Sequence, residues 1–371
     1  MQGNKLVTSI LFFLILLIGC SKNDGKIDDG EPHDPFSKRK VILLIGDGMG
    51  LSQITAASVY KGIPLHMERC QHIGIQRVYA ADNLKPSSAS TVTAMACGVK
   101  TNYEYIGVDT DGNIVPNIVE ILESHGFATG IVSTAFMSDA TPGGFYAHQP
   151  DRYDREAIAK DILGSGLDVV IGGGRDQFNV RVDGLDLLDS LRARNFQVFD
   201  NLDVAMQVQA GKVACFTDEF RPPRISEGRG DLLSNASELA LRLLDSNENG
   251  FFLMLEGGQI DWAGHYNDHD WLMDEMLDFD KAVGLALDYA TSDGNTLVII
   301  TADHETGGYA VVGGNESTNS VSGDFVTDLH TATMIPVFAY GPGAAEFSGV
   351  YNNTEIFTKL MDFYNLPTPV R

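Results

Sequence analysis

Residues 40–50 read Lys40-Val41-Ile42-Leu43-Leu44-Ile45-Gly46-Asp47-Gly48-Met49-Gly50. The apolar run has no polar alternation, so both of its faces must be covered, as in a strand inside a parallel sheet. The glycine-rich turn that follows sets Asp47 just beyond the strand, at the carboxyl edge where open α/β sheets gather ligand groups. Runs of the same character recur at Ala128–Val132, Asp168–Ile171, Phe251–Leu255, Thr296–Thr301 and Pro336–Tyr340. Helical patterns separate them, at Ile118–Ser124, Leu233–Leu244 and Met273–Ala290. This alternation predicts a three-layer α/β/α sandwich with a mostly parallel central sheet.

The 371 residues are 44% apolar and 20% charged, which excludes a disordered or collagen-like chain. Lys and Arg number 26 against 50 Asp and Glu, a net charge of −24 that repels nucleic-acid phosphates. An anionic substrate would need local positive charge to overcome that field. Near the N-terminus, Lys5 precedes an apolar run over Leu6–Ile18 that is too short to span a bilayer but suits a signal peptide. Leu17-Ile18-Gly19-Cys20 is similar to a bacterial lipobox. The expected organisation is a lipoprotein signal peptide over 1–19, a flexible acidic tether over 20–37 and a catalytic domain over 38–371. Lipidated Cys20 would anchor the protein at a periplasmic or cell-surface membrane face. Cys70, Cys97 and Cys215 form no CxxC pair and read as buried small hydrophobes.

Acidic and imidazole groups collect at the strand ends. Asp47 follows the first run, Glu256 and Asp261 follow Phe251–Leu255, and Asp303-His304 follow Thr296–Thr301. Asp261 and His265 are four apart, which puts both on one face of a helical turn, as a shared metal requires. His269 lies one turn further and is a possible substitute for His265. His330 says little alone, and His33, His66, His72 and His125 default to surface or core roles.

In combination and order, these segments resemble the alkaline phosphatases, from about Lys40 to the Pro342 region. The family's first metal motif stands as Ile45-Gly46-Asp47-Gly48-Met49-Gly50, and its nucleophile segment as Ser88-Ala89-Ser90-Thr91-Val92-Thr93-Ala94. Asp139-Ala140-Thr141-Pro142, Ala147-His148 and Arg152 follow, then Glu256, Asp261, His265, Asp303-His304 and His330-Thr331. The resemblance implies one Zn²⁺ held by Asp261, His265 and His330, and a second held by Asp47, Asp303 and His304. It implies a Mg²⁺ held by Asp47, Thr141 and Glu256, with Asp139 nearby to hold metal-bound water. Mixed nitrogen and oxygen donors suit catalytic zinc, and an all-oxygen set suits magnesium. A zinc-activated Ser88 would form a phosphoserine intermediate while Arg152 grips phosphate oxygens. Substrates would then be small-molecule phosphate monoesters, and homodimers are common in the family.

Two positions depart from the family pattern. Ser87 stands where many members carry Asp, which removes a negative charge that would orient Arg152. Trp262 stands where some members carry Lys or His, which removes a water-mediated phosphate contact. Ser87 and Ser90 are rival nucleophiles. A sulfatase lacks its nucleophile motif here, whereas a phosphodiesterase of the same superfamily shares the metals. A non-catalytic zinc- or phosphate-binding lipoprotein is the alternative of another class.

Overall fold

Residues 40–45 form the heart of strand β1 (Arg39–Gly46) in a computed structural model that describes residues 38–369. The expected signal peptide, Cys20 and tether lie outside the described residues. Along β1, Val41, Leu43 and Ile45 enter one apolar core while Ile42 and Leu44 enter another, as the two-residue period of a strand dictates. Truncating such a doubly covered residue, Leu43→Ala for instance, costs about 2–5 kcal/mol through lost burial and the cavity left behind.

The remaining strands are β2 (His72–Arg77), β3 (Ala128–Phe136), β4 (Val169–Gly173), β5 (Phe196–Phe199), β6 (Lys212–Phe216), β7 (Gly250–Gly257), β8 (Thr296–Thr301), β9 (Glu305–Thr306), β10 (Ala310–Asn315), β11 (Ser320–Asp324), β12 (His330–Thr331), β13 (Ile335–Tyr340) and β14 (Gly349–Asn352). Ten of them join one sheet in the order β14-β2-β13-β8-β1-β7-β3-β4-β6-β5. Only β13 runs against the others in that sheet. The chain returns from β8 through the small pairs β9–β12 and β10–β11 and no crossover α-helix. A parallel neighbour would need such a crossover, so β13 comes back antiparallel.

Helices cover both faces. Leu232–Leu244 and His269–Asp293 pack on the Ile42/Leu44 side, while Ser88–Cys97, Ile118–Ser124 and Thr354–Tyr364 pack on the Leu43 side. This is the expected three-layer sandwich. The long helix starts four residues before the Met273 boundary read from periodicity. Its N-cap, Asp268, accepts from Trp271 N, so a polar first turn is held by capping where hydrophobic spacing gives no sign. Cys70, Cys97 and Cys215 are buried, and Cys70 and Cys215 form no disulfide among the described residues. Among the described residues no helix is long and apolar enough to cross a membrane.

Because β1 lies between β7 and β8, Ile45 faces both Glu256 and Thr301 in the register. The carboxyl ends of three adjacent strands therefore deliver Asp47, Glu256 and Asp303 to one place.

Candidate active site

Gly48 sets the spacing of the site. Its φ is +78, and a Cβ there would lie 2.7 Å from Asp261 Cα, so only glycine lets the β1 turn meet the helix Gln259–His265. Gly48 N also donates to Asp303 Oδ1 at 3.2 Å. The short β9–β12 pair then places His330 opposite Thr306, across from Asp261.

Two donor clusters result, Asp261 with His265 and His330, and Asp47 with Asp303 and His304. Within each, one atom per residue lies within 4.8 Å of the others. In the first, His265 Nδ1 meets Asp328 O at 2.6 Å and His330 Nδ1 meets Pro86 O at 2.9 Å. A carbonyl only accepts, so both Nδ1 atoms carry hydrogen, and each ring turns an Nε2 inward that offers a lone pair once it has lost its proton. Those Nε2 atoms face each other at 3.1 Å and lie 3.3 and 3.5 Å from the Asp261 oxygens. Lone pairs so aligned call for a shared cation. Asp261 draws His265 up to about 9 against the opposing effect of burial, which expresses the same demand.

The second cluster is fully buried. Asp47 Oδ1 and Asp303 Oδ2 have no hydrogen-bond donor, although each lies within 3.6 Å of His304 Nε2. Burial, then the neighbouring Asp303 charge, pushes Asp47 well above the usual carboxylate range, and burial with Asp261 lifts Asp303 to about 7. Glu256 is raised in the same way by burial, although Ser133 donates to it. Thr141 Oγ1 lies 3.4 Å from Asp47 Oδ2, which brings together the Asp47, Thr141 and Glu256 oxygens. Four buried carboxylates around one guanidinium are costly unless cations join them. The orphaned oxygens and the inward nitrogens fit divalent metals in both clusters, with an oxygen-only set beside them.

Ser88 opens the helix Ser88–Cys97, all of whose residues are buried. Its Oγ lies 3.2 Å from His304 Nε2 and 3.4 Å from Arg152 Nη1. Ser87 and Ser90 are occupied otherwise. Ser87 caps the helix, and the two Oγ atoms bond each other at 3.2 Å. Arg152 is anchored at both ends, its backbone N on Glu104 O at 3.1 Å and its Nη2 on Asp139 Oδ1 at 3.1 Å.

The alkaline phosphatase family profile matches residues 38–324. The chain belongs to the alkaline phosphatase family. It is 35% identical to Alkaline phosphatase 3 of Bacillus subtilis over 74% of this chain, an alignment that spans only 62% of that relative. Alkaline phosphatase from the Antarctic bacterium TAB5 superposes with a TM-score of 0.84 at 40% identity, covering 88% of this chain and 98% of that one. A His-to-Asp variant of the TAB5 enzyme, 39% identical over the same shares with a TM-score of 0.83, holds Mg in its M3 site.

Within this alkaline phosphatase chain, Ser87 carries no charge, and Asp139 supplies the carboxylate that orients Arg152. Asp139 Oδ1 thus binds Arg152 and also accepts from Ala140 N at the start of the next turn. His269 bonds Tyr309 Oη at 2.9 Å and takes no part in either cluster. His148 joins Glu120 at 2.9 Å. Sequence reading missed Thr306, whose Oγ1 donates to Asp261 and lies 3.2 Å from His304 Nδ1. No spacing rule marks it, because its contacts arise only from the two-residue strand β9.

Proposed function

We propose that the chain hydrolyses phosphate monoesters through a covalent phosphoserine at Ser88. The observation that carries this reading is the position of Ser88 Oγ, within hydrogen-bond reach of both the His304 cluster and the Arg152 fork. Asp261, His265 and His330 would hold one zinc, Asp47, Asp303 and His304 a second, and Asp47, Thr141 and Glu256 a magnesium. Bound there, such ions supply charge neutralisation and Lewis acidity for an in-line displacement. The chain's own residues do the positioning. Arg152 grips the phosphate with the arm that Asp139 leaves free, and the N-terminus of the Ser88 helix favours the same anion. Ser88 Oγ bonds to phosphorus as the ester P–O bond breaks, and the alcohol leaves with a proton. Water then breaks the Ser88–phosphorus bond and releases inorganic phosphate. A loose phosphoryl transition state depends on this kind of positioning more than on covalent chemistry.

The test compares a phosphate monoester with a diester in the native chain and in Ser88→Ala. The expected result is preference for the monoester, acid-trapped phosphoserine in the native chain, and a loss of roughly three orders of magnitude or more in the variant. Zinc content should stay near native. Full activity in Ser88→Ala overturns the assignment, and preference for the diester favours a phosphodiesterase. We further propose that Cys20 is lipidated and anchors the chain at the periplasmic or outer face of a bacterial membrane. Labelled fatty acid should enter the native protein and not Cys20→Ala.

A further inference from the structure

Most guanidinium groups among the described residues face a carboxylate, as those of Arg175, Arg181 and Arg229 do. Arg155 and Arg221 are exceptions. Among the described residues neither side chain has a carboxylate or carbonyl partner, and each lies over an aromatic ring, Arg155 4.5 Å from that of Phe136 and Arg221 4.8 Å from that of Trp262. The two rings meet edge to face with centroids 5.9 Å apart. Phe136 ends β3 just ahead of Asp139, and Trp262 directly follows Asp261. The aromatic pair therefore stands within three residues of Asp139 and beside Asp261 in the chain, with Arg155 over one ring and Arg221 over the other, and Arg221 also lies 5.7 Å from the Trp271 ring.

The mounting is rigid. Buried Gln259 donates to Pro222 O at 2.8 Å, and Gly174 N donates to Phe220 O at 2.7 Å, fixing the backbone on both sides of Arg221. Arg224 lies 3.4 Å from the Trp271 ring and 3.4 Å from Asp268. A ring that covers one face of a guanidinium leaves its N–H edge to a planar or tetrahedral anion. We propose that Arg155 and Arg221 form a second anion subsite that selects phosphate monoesters whose alcohol part carries a further carboxylate or phosphate. This rests on the phosphomonoesterase reading of the site. A chain of net charge −24 repels such substrates, and two cations held over rings that neighbour Asp139 and Asp261 in the chain would offset that repulsion.

The test measures kcat/KM on glycerol 1-phosphate, on 3-phosphoglycerate and on propane-1,3-diol bisphosphate. The second and third probes distinguish a carboxylate from a phosphate as the recognised group. In Arg221→Gln, the ratio of each anionic probe to glycerol 1-phosphate should fall about ten-fold, mainly through KM, and further in the double variant with Arg155→Gln. Arg221→Lys should recover part of the ratio, and raised ionic strength should bring the native ratio toward that of the variant. Arg77→Gln, which removes another guanidinium without a partner among the described residues, should leave the ratio unchanged. An unchanged ratio in the double variant overturns the subsite. Failure of the native chain to hydrolyse glycerol 1-phosphate overturns the phosphomonoesterase reading as well.

Discussion

Arg152 holds Asp139 with one arm, Nη2 to Oδ1 at 3.1 Å, and turns the other toward Ser88 Oγ at 3.4 Å. The carboxylate fixes a flexible side chain in the pose that a phosphate needs. A hydrogen bond between charged groups contributes about 1.5–3 kcal/mol, so Asp139→Ala should lower kcat/KM roughly ten- to hundred-fold. KM and the inhibition constant of inorganic phosphate should rise together. Lost magnesium with unchanged phosphate inhibition would show that Asp139 acts on the metal instead.

Removal of the metals should leave a protein that weakens as pH rises from 7 to 9. In the metal-free chain His265 is raised to about 9 from an ordinary value near 6.5, so its contribution falls across this window, whereas the contribution of Asp303, raised to about 7, is lost mainly below pH 7. Each raised group contributes stability that is lost as pH climbs toward its folded value, and His304 and His330, which are lowered, are already neutral across this window. Thermal melts after chelation should show a falling Tm between pH 7 and 9. Restoring Zn²⁺ and Mg²⁺ should raise Tm, release protons and return activity. A flat Tm across that window would contradict the assignment.

Gly48→Ala tests the close approach at the centre of the site. The positive φ and the contact with the Asp261 backbone should together destabilise the fold by about 1–3 kcal/mol. Bound zinc should fall with it. Normal zinc content at native stability would mean that the turn has room to yield.

A pH-dependent ion pair braces the segment that leads into Arg152. His148 Nδ1 donates to Gly107 O at 2.6 Å and Nε2 to Glu120 at 2.9 Å, so the ring carries both hydrogens. Burial opposes this charge, yet Glu120 holds His148 above its ordinary pKa, and His148 in turn holds Glu120 below its own against the effect of burial. The stabilisation is lost as pH rises through the folded value for His148, and lost again as pH falls through that for Glu120. A double-mutant cycle should give a coupling of about 0.5–1 kcal/mol near pH 6 and a smaller one near pH 9. Equal coupling at both would assign the contact to packing.

Much of this was legible in the sequence because the strands that carry ligands are also the most continuously apolar. β1, β7 and β8 announce themselves, and Asp47, Glu256 and Asp303 come with them. β2, β5, β6 and β14 escape the pattern. The burial of β2 alternates, β5 and β14 are four-residue pieces at the sheet margins, where little apolar content is required, and β6 (Lys212–Phe216) is a buried run of only five residues opened by a lysine. The Asp139–Arg152 pairing and the Thr306 contacts were equally hidden, since each depends on how two loops meet rather than on spacing within either.

Asp47 stands near the beginning of the described chain and His330 near its end, so the cage closes only when both have arrived. Until His330 has joined Asp261 and His265, a partly folded molecule offers one of the cations an unfinished vessel. The growing sheet must hold its crowded acids by protonation and packing until the last wall is in place.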